Sequence, residues 1–242
     1  MHYLPLNPWF FAILIGLFLA VVALIEVGIL RYAFMRLGLS SRAAIFLLLA
    51  SLIGSYVNIP VATLAEQHIL SGQEVEFFGM RYAVPVVIDW PGTIIAINVG
   101  GALIPILVSL YLLAKYRLWG LGVLATACVA AMCYYLAHPV PGVGIALPTL
   151  VPGIAAAIVA LLLSRPYAAP LAYIAGSLGT LIGADLLNLG LVQGLGAPVA
   201  SIGGAGTFDG IFVTAIVAVL IAGIGATKPR SDATGAAPGA RT

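Results

Sequence analysis

Apolar runs of about twenty residues follow one another along almost the whole chain, separated by short connections. A run of that length crosses the roughly 30 Å hydrocarbon layer of a bilayer as a helix. Charge leaves no alternative. Only 7% of the 242 residues are Asp, Glu, Lys or Arg and 62% are hydrophobic. A soluble domain carries about 25% charged residues, so this chain could not cover a water-facing surface. The runs lack the two-residue alternation of barrel strands. The expected fold class is therefore an all-α polytopic membrane protein, its partner the lipid bilayer of the cell (inner) membrane.

Punctuation places about seven spans within a single domain over residues 1–226. The first, about Pro8 to Leu30, has no Lys or Arg before it and no small-residue cleavage pattern after it, so it reads as a retained span. Arg31, Arg36 and Arg42 follow in a connection. The others run from about Ala43 to Ala65, Pro91 to Ala114, Leu118 to Ala137, up to Ser164, Ala168 to Leu189 and Phe208 to Ala226. Between the second and third lies the longest polar insertion, about 66–90. There QEVEFF and RYAVPVVI flank Gly79-Met80, which predicts a small β-hairpin with Pro85 on an edge. His138 opens a Pro/Gly-rich break, HPVPGVGIALPTLVPG. Residues 227–242, TKPRSDATGAAPGART, read as a disordered cytoplasmic tail.

Charge placement predicts orientation. With the N-terminus outside, Arg31, Arg36, Arg42, Lys115, Arg117, Arg165, Lys228, Arg230 and Arg241 all fall inside, and only Arg81, in the hairpin, falls outside. This agreement with the positive-inside rule supports an odd number of spans and a cytoplasmic C-terminus. The basic residues form no patch, which excludes nucleic acid as a partner. Cys128 and Cys133 fit no metal spacing and read as small packing residues. No cofactor and no metal is expected.

The stretch Leu181 to Val213 holds two acids, Asp185 near the end of one span and Asp209 just inside the next. An ionisable side chain in hydrocarbon costs about 3 kcal/mol or more, so each is a functional-site candidate by default. Asp185 lies about five residues before the connection, a depth of roughly 7–8 Å at helical rise. On the same outer half fall Asn58, Asn98, Asn188 and His138, with Asp89 at the mouth of the third span and Thr207 beside Asp209. Together they predict one polar cavity open to the outside. Each has a structural alternative. Thr207 and Asp209 suit a helix start, and Asn58 and Asn98 suit interhelical hydrogen bonding. His138 suits a surface loop, Glu26 a snorkel or a pair near Arg31, and Asp185 a bonded structural acid. Gly176, Gly179, Gly183 and Ala184 predict close helix approach. The turn Gly203-Gly204-Ala205-Gly206 lacks the spacing of a nucleotide loop.

Five strings together, GSYVNIP (54–60), INVGGALIP (97–105), PVPGVGIALP (139–148), AGSLGTLIGADLLNL (175–189) and GAPVASIGGAGTFDGIF (196–212), resemble the prokaryotic membrane family catalogued as domain of unknown function 1614. That resemblance covers nearly all the chain except the tail, and implies a polytopic fold with no assigned reaction. A weaker resemblance is to intramembrane aspartyl proteases of the presenilin and prepilin-peptidase type, which carry one catalytic Asp on each of two neighbouring spans. Asp185 and Asp209 match that placement. The motif departs from Gly-x-Gly-Asp, since Gly206-Thr207-Phe208-Asp209 sets two residues between glycine and acid.

Three functions use these residues. In a transporter for a small solute or ion, acids near interrupted helices bind a proton or cation. In an aspartyl hydrolase, Asp185 and Asp209 share one proton and activate water. In an accessory protein the polar cluster is structural.

Overall fold

The computed structural model describes residues 23, 26–64, 67–77, 80–90, 92–140, 144–148, 150–192, 199–204 and 210–225. Most of the expected first span and the polar tail lie outside these residues. Helix α1, Glu26–Arg36, is followed by α2, Ser41–Gly54, at a bend of 118°. Arg31 and Arg36 therefore belong to α1 and Arg42 to α2, and the connection expected to hold all three is only Leu37 to Ser40. Gly38 supplies the left-handed residue that such a reversal needs (φ 74°). Ser40 caps α2 by accepting from the Ala43 amide at 3.3 Å. Lys115 and Tyr116, at the end of helix α3 (Ile104–Tyr116), pin the turn by donating to the carbonyls of Gly38 (2.7 Å) and Leu37 (3.0 Å).

The second and third expected spans are helical only in part. After Gly54 the chain becomes strand β1, Asn58–Leu64, and the third segment opens as strand β4, Thr93–Asn98. The cause is local. NIPVATL carries a proline and alternating β-branched residues, and four of the six residues of TIIAIN are β-branched, so both fit a pleated ribbon better than a helix. Between them lies the predicted hairpin, β2 (Gln67–Phe77) paired antiparallel with β3 (Met80–Trp90). Pro85 sits opposite Gly72 in a two-stranded ribbon, where every strand is an edge. The two turn positions, 78 and 79, lie outside the described residues.

A short π-helical turn, Val99–Leu103, leads into α3, Ile104–Tyr116. Helix α4 spans Trp119–Leu136, matching expectation. The break after it holds a small ribbon, β5 (His138–Val140) against β6 (Gly144–Ala146). Then come α5 (Val151–Leu163), α6 (Ala168–Thr180) and a second π-helical turn, Leu181–Leu186. A single helical turn, α7 (Leu189–Val192), strand β7 (Val199–Ile202) and α8 (Gly210–Gly225) complete the described chain. Among the described residues, three helical segments are long and apolar enough to cross a membrane, namely Val99–Tyr116, Trp119–Leu136 and Ala168–Leu186. The bent α1–α2 pair makes a fourth if it counts as one span, and two shorter apolar helices lie at Val151–Leu163 and Thr214–Gly225.

Helix α6 is the axis of the bundle. Every residue in it except Leu178 is buried, and it packs against α3, α4, α5 and α8. Small residues make this possible. A Cβ on Gly179 would meet Val129 at 2.7 Å, and one on Gly183 would collide with the Ala130 backbone, so α4 can approach only because these positions are bare. Inside, Ser109 and Ser177 share a hydrogen bond at 2.9 Å, and Ser177 also reaches the Tyr173 carbonyl at 2.7 Å, whereas the buried Thr126 hydroxyl of α4 has no partner among the described residues. Cys133 is buried beside Thr180 as expected of a packing residue, whereas Cys128 is exposed.

Gly183→Ala should force α4 away from α6 and lower thermal stability in detergent by about 1–3 kcal/mol. Gly120→Ala, which meets nothing within 4 Å, should leave the melting temperature unchanged or slightly raised.

Candidate functional site

Where helices give way to strands, backbone groups lose their helical partners and must find others. The strands find them in a three-stranded sheet. β4 pairs antiparallel with β1, placing Asn58 opposite Asn98, and parallel with β7, placing Ala96 opposite Ser201. Each strand contributes one polar side chain to a network. Asn98 is buried, and its amide nitrogen donates to the Ser55 carbonyl (2.8 Å) and to Asn58 Oδ1 (3.1 Å). Its Oδ1 accepts from the Gly101 amide at 2.8 Å, capping the first π-helical turn. Ser201 Oγ lies 2.7 Å from Asn58 Oδ1 and 2.6 Å from the Gly204 carbonyl, so its single proton serves one of them at a time.

That turn is pressed against α2. Ser51 Oγ donates to the Gly100 carbonyl at 2.8 Å, and Ser55 Oγ to the Ser51 carbonyl at 2.7 Å. A Cβ on Gly100 would strike the Ser51 carbonyl and the Ser55 amide, so only glycine admits this contact.

Asp185 stands on the second π-helical turn, at the end of the long α6 segment, and is half-buried. Its Oδ2 accepts the Gly203 amide at 2.7 Å. Gly203 has φ 92°, and a Cβ there would meet Ala102 at 2.7 Å, so the loop can present this N–H only through glycine. Among the described residues the other carboxylate oxygen accepts no hydrogen bond, which leaves it able to take a proton, a cation or a hydroxyl. π-helical turns inside α-helices recur at functional sites.

Asn188 is buried one turn further on, but its amide donates to the carbonyls of Gly183 (2.8 Å) and Ala184 (3.1 Å), closing the end of its own helix. His138 is exposed at the start of β5, opposite Ala146. Asp89 lies on β3 opposite His68. Thr207 and Asp209 lie outside the described residues. The chain on either side of them is described: Ile202 and Ile211 join Ala102 and Leu181 in one small apolar cluster. Leu181 is one turn before Asp185, and Ile211 is two residues after Asp209. Among the described residues no three His, Cys, Asp or Glu side chains group as metal ligands.

Ser51, Ser55, Ser201 and the Gly203 amide escaped the sequence reading. Hydroxyls of serine are common inside membrane helices and carry no signal singly. The four-residue spacing of Ser51 and Ser55, just before Asn58, was the available clue.

Asn98→Ala would strip partners from the buried Ser55 carbonyl and Gly101 amide, at about 1–3 kcal/mol for each group left unpaired. A clear drop in melting temperature in detergent is expected. Asp185→Asn keeps an oxygen that can accept from Gly203, so its melting temperature should stay close to that of the wild type.

The chain matches no curated protein and no solved structure. A family model matches residues 52–221, a stretch that includes the three-stranded sheet, both π-helical turns and Asp185. The chain belongs to the family of proteins of unknown function DUF1614.

Proposed function

We propose that this protein is a multi-pass transporter of about seven spans, N-terminus outside and C-terminus cytoplasmic, that passes a small solute or an ion, coupled to protons, through a polar site around Asp185. One observation carries the reading. A carboxylate within a membrane-length helix is held by a single backbone N–H and keeps its other oxygen unbonded among the described residues. A purely structural acid would be expected to satisfy both oxygens. The interruptions on either side, at β4–α3 and β7–α8, are what a site between half-helices needs. Asn58, Asn98 and Ser201 then shape the wall beside it, with Thr207, Asp209, Asp89, His138 and Asn188 as further polar groups of the outer half.

A second reading is an intramembrane aspartyl hydrolase with Asp185 and Asp209 as the dyad. It is favoured by the apolar cluster that holds Leu181 and Ile211 together, since each flanks one of the acids. Two carboxylates a few ångströms apart share one proton and can activate water.

Proteoliposomes loaded with a pH-sensitive dye and driven by a potassium diffusion potential test the first reading. Wild-type vesicles should acidify faster than empty ones, and Asp185→Asn should fall to the empty-vesicle rate. Equal rates for wild-type and empty vesicles would remove proton coupling from the proposal. The hydrolase requires instead that Asp185→Asn and Asp209→Asn each abolish cleavage of a fluorogenic transmembrane peptide by the purified protein.

A further inference from the structure

The bend between α1 and α2 leaves a wedge, a cavity of about 250 Å³ whose lining includes Phe212 of α8. On the α1 side it is lined by Glu26, Val27 and Leu30, whose spacing puts all three on one side of the helix, and by Ala23. On α2 the matching face presents Ile45, Leu48 and Leu52. Ser51 and Ser55 also line it, but their hydroxyls are spent on the Gly100 and Ser51 carbonyls. Apart from these two hydroxyl oxygens, which keep acceptor capacity, the lining is apolar except at one point. Glu26 faces it from a stripe whose other members are aliphatic. Among the described residues no Lys, Arg or His pairs with its carboxylate, although Arg31 and Arg36 follow on the same helix. Arg36 is engaged elsewhere, donating to Tyr32 at 2.8 Å and lying over its ring.

An anionic group at the edge of an apolar cavity selects for its complement, a body that prefers hydrocarbon and a head that carries positive charge. The volume lies at the small end of ligand pockets. At interior packing density it holds about a dozen non-hydrogen atoms. We propose that the α1–α2 wedge binds a small amphipathic ammonium compound, its cationic head on Glu26 and its apolar body between Leu30, Leu48, Leu52 and Phe212. This site is separate from Asp185 and does not depend on the transport reading. A free amphiphile and the headgroup of an amine-bearing lipid both present this ammonium chemistry to Glu26.

Calorimetric titration of the full chain in nanodiscs with benzyltrimethylammonium tests this. Saturable binding is expected in the wild type, and benzenesulfonate, of similar size and opposite charge, should not bind. Glu26→Gln should weaken binding about tenfold or more, the loss of one charge-assisted contact. Leu48→Trp, which fills the wedge without touching the charge, should abolish it, and both variants should elute and melt as the wild type does. Should Glu26→Gln fail to fold, the filled variant and the anionic probe still decide the matter. Repeating the titration in phosphatidylglycerol discs with and without phosphatidylethanolamine assigns the source: competition by the amine lipid points to a headgroup, its absence to a free amphiphile. No saturable binding in the wild type, equal binding by Glu26→Gln, or equal binding of benzenesulfonate would each overturn the proposal.

Discussion

A helix that stops short inside an apolar bundle leaves backbone N–H and C=O groups that neither water nor lipid can satisfy, and each costs several kcal/mol. This constraint governs the architecture. Two segments of this protein stop being helical and become strands, and both strands end in one sheet with a third. Asn98 is the joint. Its single side chain takes up a carbonyl from the end of α2, a side-chain oxygen from β1 and an amide from the π-helical turn that starts α3. Burying such a group is unfavourable unless every donor and acceptor is met, and here they are.

The sheet also fixes Asp185. β7 pairs with β4, so the position of the Gly203 amide follows from β4, and that of Asp185 follows from Gly203. The acid is thus coupled to α2 and α3 through backbone, with no intervening side-chain ion pair. Glycine recurs at the contacts because a Cβ at Gly100 or Gly203 would occupy the space that a neighbouring backbone fills.

Much of this was legible in sequence, for identifiable reasons. Asp185 stood out because almost no charge surrounds it. The hairpin stood out because its polar composition interrupts apolar runs. α4 matched its expected limits since it is apolar between Arg117 and Pro139, and the long α6 segment matched its expected start, set by Arg165-Pro166. The strands β1 and β4 were hidden because hydropathy scores VNIPVATL and TIIAIN as membrane span, whatever their backbone geometry. β-branched residues and Pro60 were the contrary signal. The partners of Asn98 and Asp185 could not be read at all, being carbonyls and amides of distant segments. Pairing between β4 and β7 has no local trace.

That pairing also fixes an order of events. Ile94 meets Val199 in parallel register, and α3, α4, α5, α6 and α7 are all made between them. A chain made from its N-terminus must therefore hold one edge of β4 open while those helices are made, and the sheet closes only when β7 has followed them. Contacts so distant in sequence form late and slowly. The Asp185–Gly203 bond can form only after β7 has been made, so the acid, made eighteen residues earlier, begins without this partner.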